Sequence, residues 1–243
     1  MISKKTYKNI KSLKDKKFRY AEKRFTVEGL RLLKTILYEG AFLESVLFTK
    51  NFKTKNFEFI KQIDSEILFE VSEKEIKDLS NMTTPSGILA VTKFPDYNKL
   101  NLNKNIIFLD QISDPGNMGT ILRTASWFGI DQIVLSDKCI DPFNPKVVAA
   151  GMGSHFQLKF LGEERLEKLN DYLWIGASLD GKNLMQSKKI NKKWVLVMGS
   201  EAHGIDKKIR PRLDEVYTIP KLGKGESLNV GVAMGIFLSN IIS

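Results

Sequence analysis

Residues 114–125 (DPGNMGTILRTA) combine an asparagine and an arginine at a spacing that suits a helix beginning beside a binding site. The pattern predicts a helix over 118–128, with Asn117 at its N-cap. Arg123 then lies nearly two turns into the helix. Because helical side chains lean toward the helix N-terminus, its guanidinium could reach the mouth of the preceding loop. There it could hold an anion or stabilise developing negative charge. A capping asparagine and a surface arginine would explain the same two residues without any chemistry.

Residues 197–204 (VMGSEAHG) place two glycines directly after a predicted strand. Gly199 and Gly204 would let backbone amides approach a ligand closely. Glu201 suits the start of a helix, where the helix dipole stabilises an acid. His203 is most simply a turn residue. The chain has two histidines and one cysteine, and no acids cluster near His203, so we expect no metal site.

Residues 219–230 (IPKLGKGESLNV) form the third segment. Ser227 is a natural N-cap for a C-terminal helix beginning at Leu228. Lys221 and Lys224 could face a phosphate or only water. Each of the three segments follows a predicted strand, and open α/β sheets bind ligands at the carboxyl ends of their strands.

The region from residue 106 onward alternates predicted strands and helices. This alternation indicates a mainly parallel sheet with helices on both faces. The predicted strands are 106–109, 132–135, 156–160, 173–177, 194–198 and 215–219; the predicted helices are 118–128, 146–152, 163–171 and one from residue 228.

The first ninety-odd residues indicate a smaller α/β unit. Ser72 and Glu75 have the spacing of a capping box at the start of a helix. Residues 95–105 are polar, rich in turn formers and without a clear period, so they are interpreted as a linker with a boundary near residue 100. The predicted strands are 45–49, 67–71 and 87–91, and the predicted helices are 30–37, 57–63 and one opening after Ser72.

The chain carries a formal net charge of +10, which favours a polyanionic partner, nucleic acid before an anionic membrane. Residues 1–24 hold ten Lys or Arg against two acids. They are interpreted either as a solvated helix face or as an arm that contacts phosphates.

The N-terminus is polar and the longest apolar stretch, 230–238, is too short to span a bilayer. The lone Cys139 allows no disulfide within the chain and is interpreted as a buried apolar residue. We expect a cytoplasmic protein.

The three segments together resemble the motifs of the SpoU/TrmH-type RNA ribose methyltransferases of the SPOUT superfamily. The similarity lies in Asn117-x-Gly119-Thr120-x-x-Arg123-Thr124-Ala125, in Gly199-Ser200-Glu201-x-x-Gly204, and in Ile219-Pro220 through Ser227-Leu228-Asn229-Val230. They occur in the family's order. Residues 18–92 also resemble the family's small substrate-binding domain, of ribosomal-protein-L30e type, through Phe25-x-Val27-Glu28-Gly29 and Pro85-x-Gly87-Ile88, although this match is looser.

The resemblance implies an α/β protein in two domains. Residues 1–98 would form a small L30e-like α/β domain that binds RNA and carries the basic arm. Residues 104–243 would form the catalytic α/β domain, with a mainly parallel sheet and a deep trefoil knot. General topological rules disfavour knots, so that feature is expected from the family alone. The family also implies a homodimer in which the partner subunit completes each active site.

The resemblance also implies the activity: methyl transfer from S-adenosylmethionine to a ribose 2′-hydroxyl of structured RNA, with ribosomal RNA favoured over transfer RNA. The residues implied for catalysis are Arg123, Asn117, Glu201, Ser227 and Asn229. Those implied for cofactor binding are Met198, Gly199, Ile219, Leu228 and Val230. Those expected to bind RNA are Lys4, Lys5, Lys16, Lys17, Arg19 and Arg24.

One segment departs from the family's pattern. After Asn144-Pro145-Lys146-Val147-Val148, many relatives carry a basic or polar residue and a serine, whereas this chain has Ala149-Ala150-Gly151-Met152-Gly153. A substrate contact is therefore missing or moved. Other activities stay open: a non-catalytic RNA-binding protein, and a base-modifying methyltransferase of the same superfamily. A dinucleotide-dependent oxidoreductase is disfavoured, because residues 114–119 lack the Gly-x-Gly-x-x-Gly spacing.

Overall fold

The computed structural model describes residues 2–95 and 100–242, which fall into two compact units. The first unit contains residues 2–95 and 143–156. The second contains residues 100–142 and 157–242. The sequence assigns 143–156 to the second domain, whereas the structure packs this segment with the first unit. Of the expected linker, residues 96–99 lie outside the described residues.

The first unit is built on a mixed four-stranded sheet in the order β1-β4-β2-β3, in which β2 and β3 are parallel and the other pairs antiparallel. The strands are β1 (Arg24–Glu28), β2 (Leu43–Thr49), β3 (Leu68–Val71) and β4 (Ile88–Lys93). The helices are α1 (Lys4–Ser12), α2 (Lys16–Glu22), α3 (Leu30–Tyr38), α4 (Lys50–Lys55), α5 (Phe57–Ile60), α6 (Glu73–Leu79) and α8 (Pro145–Gly151).

A buried apolar cluster joins α1 and α6 to the sheet of the first unit, through residues such as Leu13, Leu47 and Leu79. The expected capping box at the start of α6 is present, with Ser72 and Glu75 bonding each other's backbone N–H groups. The strand β1 and the helix α4 were not predicted from the sequence. A single helix was predicted over 57–63, where the structure has only the short α5.

The second unit is built on a six-stranded sheet in the order β10-β8-β9-β5-β6-β7, and all of its pairs are parallel. The strands are β5 (Ile106–Leu109), β6 (Gln132–Leu135), β7 (Lys159–Gly162), β8 (Leu173–Asn183), β9 (Trp194–Met198) and β10 (Glu215–Thr218). The helices are α7 (Pro115–Trp127) and α9 (Val230–Ile242), with 3-10 helices at Glu163–Lys168, Leu184–Gln186 and Arg210–Arg212. The 3-10 helices of the first unit are Ser65–Ile67 and Ser154–Phe156.

The central strand β5 is fully buried on both faces. Its alternate residues Ile106 and Phe108 join one core cluster with Val195 and Val197 of β9. Side chains alternate across a strand, so the intervening residues pack on the opposite face. The α/β fold with a mainly parallel sheet that the sequence predicts is therefore confirmed, and β5, β6 and β9 match their predicted limits.

Several predicted limits in the second unit are wrong. The strand expected over 156–160 lies at Lys159–Gly162, and the helix expected over 163–171 is the shorter 3-10 helix Glu163–Lys168. Helix α7 begins at Pro115, because Asp114 rather than Asn117 is its N-cap. Helix α9 begins at Val230 rather than at Leu228. Within residues 2–95 and 100–242, no helix combines the length and the apolar character that crossing a bilayer requires.

Helices α7 and α9 pack against each other through small residues. A Cβ atom on Gly231 of α9 would lie 2.7 Å from Cγ2 of Thr120 on α7. Thr120 is held in place, since its hydroxyl donates to the Gly116 carbonyl at 2.9 Å. A Cβ on Gly235, one turn further along α9, would lie 3.8 Å from Thr124, which is ordinary contact.

We therefore expect Gly231→Ala to lower the free energy of unfolding by about 1–3 kcal/mol, as overpacked sites do. Gly235→Ala is the matched control and should be neutral or stabilising by up to about 1 kcal/mol, because alanine favours a helix. Urea denaturation of both variants measures the difference. Equal stability of the two variants would contradict close packing of the helices at Gly231.

Candidate active site

The carboxyl ends of β8, β9 and β10 surround one cavity of about 660 Å³. Its walls come from residues 177–180 within β8, from 198–204 at the end of β9, and from 218–228 at the end of β10. Buried residues of α9, including Val230 and Phe237, close one side. Two of the three segments that the sequence singled out therefore meet at one cavity, at the edge where a parallel sheet binds ligands.

The turn after β9 is held tightly closed. Ser200 and Gly204 exchange two backbone hydrogen bonds, of 3.1 and 2.8 Å. Gly204 adopts a φ of +65°, and a Cβ on Gly199 would collide with the backbone of Gly204, so both positions require glycine. The turn thus places the backbone of two glycines, which have no side chains, at the wall of the cavity. His203 is an exposed residue of this turn, as the sequence indicates.

All five residues expected to bind a cofactor line the cavity: Met198, Gly199, Ile219, Leu228 and Val230. Met198 and Val230 are buried and give an apolar floor. Leu228 is half exposed. Apolar walls beside glycine-rich backbone are typical of small-molecule sites, which combine apolar lining with a few polar groups.

Three of the expected catalytic residues form a continuous chain of hydrogen bonds. The side-chain amide of Asn117 donates to the Glu201 carboxylate, and the amide of Asn229 donates to Oδ1 of Asn117 at 2.6 Å. The side chain of Asn117 is available for these bonds because it does not cap α7. Asp114 is the cap, and its carboxylate accepts from the backbone N–H of Asn117 at 2.7 Å. The expected role of Asn117 as N-cap is therefore wrong, and its side chain faces the other two segments instead.

The start of α9 fixes the direction of this chain of hydrogen bonds. Oδ1 of Asn229 accepts from the N–H groups of Gly231 at 2.9 Å and Val232 at 3.3 Å. Its amide nitrogen must therefore point to Asn117, whose own amide nitrogen must point to Glu201. Asn229 thus stabilises the start of α9, a role that the sequence gave to Ser227. Ser227 is exposed and lines the cavity.

Arg123 lies outside this hydrogen-bonded chain. It is exposed on α7, six residues beyond Asn117, which corresponds to about 9 Å along the helix axis. It forms no hydrogen bond or ion pair with any residue in 2–95 or 100–242. Its guanidinium is therefore available to an external anion, although it does not line the cavity.

A further part of the cavity wall was not predicted from the sequence. Val216 and Tyr217 of β10 are neighbours, yet they pair with Gly176 and Lys182 of β8, whereas Ala177 still pairs with Met198 of β9, so residues 178–181 form an excursion from the sheet within β8. This excursion lines the cavity. Where β8 rejoins β10, a Cβ on Gly181 would collide with the Tyr217 backbone.

Arg210 holds this excursion in place. Its guanidinium donates to the Asp180 carboxylate at 3.0 and 3.3 Å and to the Ser178 hydroxyl at 3.0 Å. The bond from Arg210, which makes the largest contribution, and a bond from the Ser178 hydroxyl at 2.5 Å lower the pKa of Asp180 to about 2. The only sequence signal here is the turn-forming pair Asp180-Gly181; Arg210 lies thirty residues further along the chain.

The expected RNA-binding residues divide into two groups. Lys4, Lys5, Lys16 and Lys17 are exposed on α1 and α2. Arg19 is only 2% exposed, and its guanidinium donates to the carbonyls of Leu13 at 2.8 Å and Lys14 at 2.6 Å.

Arg24 is likewise engaged within the protein, in ion pairs with Glu22 and Glu44. Both guanidinium groups therefore have partners within the first unit, and contact of the six residues with RNA stays a prediction. In the part of the chain that the structure describes, no three His, Cys, Asp or Glu side chains are grouped so as to hold a metal ion.

The chain belongs to the SpoU rRNA methylase family, which matches residues 104–239. The expected family is thus confirmed. Residues 4–90 match a second family, the MRM3-like substrate binding domain.

Two curated relatives extend this finding. A 23S rRNA (guanosine(2553)-2′-O)-methyltransferase, RlmP, from Bacillus subtilis is 28% identical, over 96% of this chain and 94% of that protein. Human mitochondrial rRNA methyltransferase 3 is 31% identical over 66% of this chain, and the match spans 40% of its length.

Solved structures are similar over the whole length. One is a putative RNA methyltransferase of the TrmH family from Porphyromonas gingivalis, with a TM-score of 0.83 and 31% identity over 99% of this chain and 98% of that chain. Another is the AdoMet-bound rRNA methyltransferase from Sinorhizobium meliloti, with a TM-score of 0.78 and 25% identity over 99% and 95% of the two chains.

The Arg210–Asp180 pair gives a direct test of the cavity wall. Because the folded-state pKa of Asp180 is about 2, below the ordinary 3.8, its charge favours the folded state above pH 3.8, and this contribution is lost as the pH falls toward 2. We expect Arg210→Ala to return the pKa of Asp180 toward 3.8. An NMR titration of the carboxyl carbons measures both proteins.

Asp206 is the matched internal control. Its pKa is lowered chiefly by the hydrogen bond from the Lys208 N–H, so Arg210→Ala should leave it unchanged. Identical titration of Asp180 in the two proteins would show that Arg210 does not hold the excursion.

Proposed function

We propose that this protein transfers a methyl group from S-adenosylmethionine to a ribose 2′-hydroxyl of ribosomal RNA. One observation supports the proposal most strongly. All five expected cofactor residues line one cavity, and Glu201, which lines the same cavity, is hydrogen-bonded through Asn117 to Asn229. The B. subtilis relative is named as a 2′-O-methyltransferase of 23S rRNA, and the match covers nearly all of both chains.

The cavity suits S-adenosylmethionine in size and in chemistry. Its volume of about 660 Å³ lies in the range of sites for small molecules of this kind, roughly 300–1,000 Å³. The apolar floor at Met198 and Val230 suits the adenosine, and the backbone around Gly199 offers hydrogen bonds without side-chain bulk. The bound cofactor supplies an activated methyl group on a sulfonium.

Asp180 and Arg210 add opposite charges to the wall of this cavity. The methionine end of the cofactor carries an ammonium and a carboxylate, which complement such a pair. In this proposal the excursion 178–181 therefore holds the methionine end, and Arg210 acts as a positioning residue for it.

Methyl transfer to an alcohol requires the acceptor oxygen to be in line with the bond that breaks and to lose its proton. We assign Arg123 to stabilising the developing charge on the 2′-oxygen and to holding an adjacent phosphate. A guanidinium does not give up its proton in proteins, so Arg123 is not itself assigned as the base, and the hydroxyl proton passes to solvent water as the methyl group leaves the sulfonium. Asn117, Glu201 and Asn229 orient the ribose, and Ser227 contacts it from the opposite wall.

The finer features of the fold belong to the same proposal. The trefoil knot is supported by the family alone. We keep residues 1–98 as an L30e-like domain and residues 104–243 as the catalytic domain. The first of these is supported by the substrate-binding family matched at 4–90.

A homodimer is supported by the exposed Trp127 on α7 and Val232 on α9. We place the reaction in the cytoplasm.

The segment that departs from the family pattern serves packing in this protein. A Cβ on Gly151 would lie 2.6 Å from the His155 ring, and one on Gly153 would lie 2.9 Å from Thr35. Larger residues do not fit at these positions. We therefore assign RNA contacts of the first unit to the exposed lysines Lys4, Lys5, Lys16 and Lys17 instead.

Mapping of ribose methylation tests the proposed activity. We expect ribosomal RNA from cells that lack this protein to have lost one 2′-O-methyl group, and the purified protein with S-adenosylmethionine to restore it. Transfer RNA from the same cells is the control and should be unchanged. An intact ribosomal methylation pattern in the deletion strain would refute the proposed substrate.

Arg123→Ala tests the assigned chemistry. We expect kcat to fall by at least about 100-fold, because removing one preorganised donor to developing charge has effects of this size. Calorimetry should find S-adenosylmethionine affinity within a few fold of wild type. Arg31→Ala, at another exposed arginine, is the control and should keep kcat. Loss of cofactor binding in Arg123→Ala would contradict the role assigned to Arg123.

A further inference from the structure

A cluster of lysines lies at the edge of the second unit's sheet that is opposite the cavity. Strands β5, β6 and β9 are parallel, so their N-terminal ends share one edge and their carboxyl ends share the other. The cavity follows the carboxyl end of β9 at Met198, whereas Lys192 and Lys193 directly precede its first residue. Five residues of strand separate the two edges by about 17 Å.

The cluster is strongly basic and unneutralised. Residues 186–193 (QSKKINKK) hold four lysines and no acid. Lys188, Lys189 and Lys192 are exposed and form no hydrogen bond or ion pair with the residues that the structure describes. Their ammonium groups are therefore available to an external partner.

The loop that carries these lysines is anchored. The ammonium of Lys193 donates to the Leu102 carbonyl at 3.1 Å and to Oδ1 of Asn103 at 3.0 Å. Oδ1 of Asn105 accepts from the Trp194 N–H at 3.2 Å. The lysines thus project from a fixed edge of the sheet.

A groove of about 500 Å³ lies beside this loop. Its lining includes the side-chain amides of Asn103, Asn105 and Asn191. Its one acidic lining residue, among those described, is Asp131, which pairs with Lys104 at 2.8 Å. The groove therefore offers hydrogen-bond donors in a positive field, which suits phosphate oxygens.

We propose that Lys188, Lys189, Lys192 and this groove, together the lysine surface, bind the phosphate backbone of the substrate RNA at a second place, remote from the methylated ribose. This inference rests on the proposed function for the identity of the RNA. A polyanion suits the surface because each lysine that neutralises a phosphate releases condensed counterions. An RNA that occupies both edges must extend at least about 17 Å beyond its target nucleotide.

The test compares three proteins: wild type, Lys188→Gln/Lys189→Gln/Lys192→Gln, and the charge-keeping Lys188→Arg/Lys189→Arg/Lys192→Arg. The probe is ribosomal RNA from cells that lack this protein. Filter binding gives Kd at several salt concentrations, and calorimetry gives S-adenosylmethionine affinity. None of the three lysines lines the cofactor cavity.

We expect the glutamine variant to bind RNA at least tenfold more weakly near 0.1 M salt, with the slope of log Kd against log salt reduced by two to three. The arginine variant should keep wild-type Kd and slope, and cofactor affinity should be unchanged in all three proteins. RNA binding by the glutamine variant that equals wild type overturns the inference. Loss of binding to phosphatidylglycerol vesicles without loss of RNA binding also overturns it, in favour of a membrane partner.

The same experiment distinguishes a failure of the proposed methyltransferase activity from a failure of the lysine surface. If wild type binds the RNA but transfers no methyl group to it, the activity is refuted, while the Kd values still decide on the lysine surface.

Discussion

The chain of side-chain hydrogen bonds from Glu201 through Asn117 to Asn229 joins three elements that are far apart in sequence. It links the turn after β9, the first turn of α7 and the residue that directly precedes α9. Because the first amides of α9 fix the orientation of Asn229, each amide in the chain has one permitted direction. A site built in this way is organised before any ligand arrives, and preorganised polar groups are what stabilise a charged transition state at least cost.

The parallel sheet makes this arrangement possible. Since all of its strand pairs run in the same direction, the loops after β9 and β10 emerge at one edge and, with the excursion within β8, surround one cavity. The excursion 178–181 adds to that edge, and Arg210 is hydrogen-bonded to its Asp180. Arg123 is exposed beside this arrangement and without a partner among the described residues, which leaves its charge for an RNA phosphate and the reacting oxygen.

Much of the second unit's sheet was predictable because its strands are short apolar runs bounded by polar residues; Ile106–Leu109 is the clearest case. The start of α7 was misplaced by three residues because Asp114 and Asn117 are both good capping residues, although Pro115 suits the first helical position. In the same way, the sequence alone makes Ser227 and Asn229 equal candidates for the cap of α9. Only the hydrogen bonds in the structure identify Asn229 as the cap. Pairings such as Arg210 with Asp180, and the burial of Arg19 within a basic run, depend on the tertiary structure and leave no local signal.

We propose that S-adenosylmethionine binds between the excursion within β8 and the loops after β9 and β10, with its methyl group toward the side of Asn117. A crystal structure of the protein with S-adenosylmethionine is the most direct test. We expect density for the cofactor against Met198, Gly199 and Leu228, with a space for a ribose between the sulfonium and Arg123. Cofactor density at another place on the protein, or a methyl group that faces away from Asn117, would contradict it.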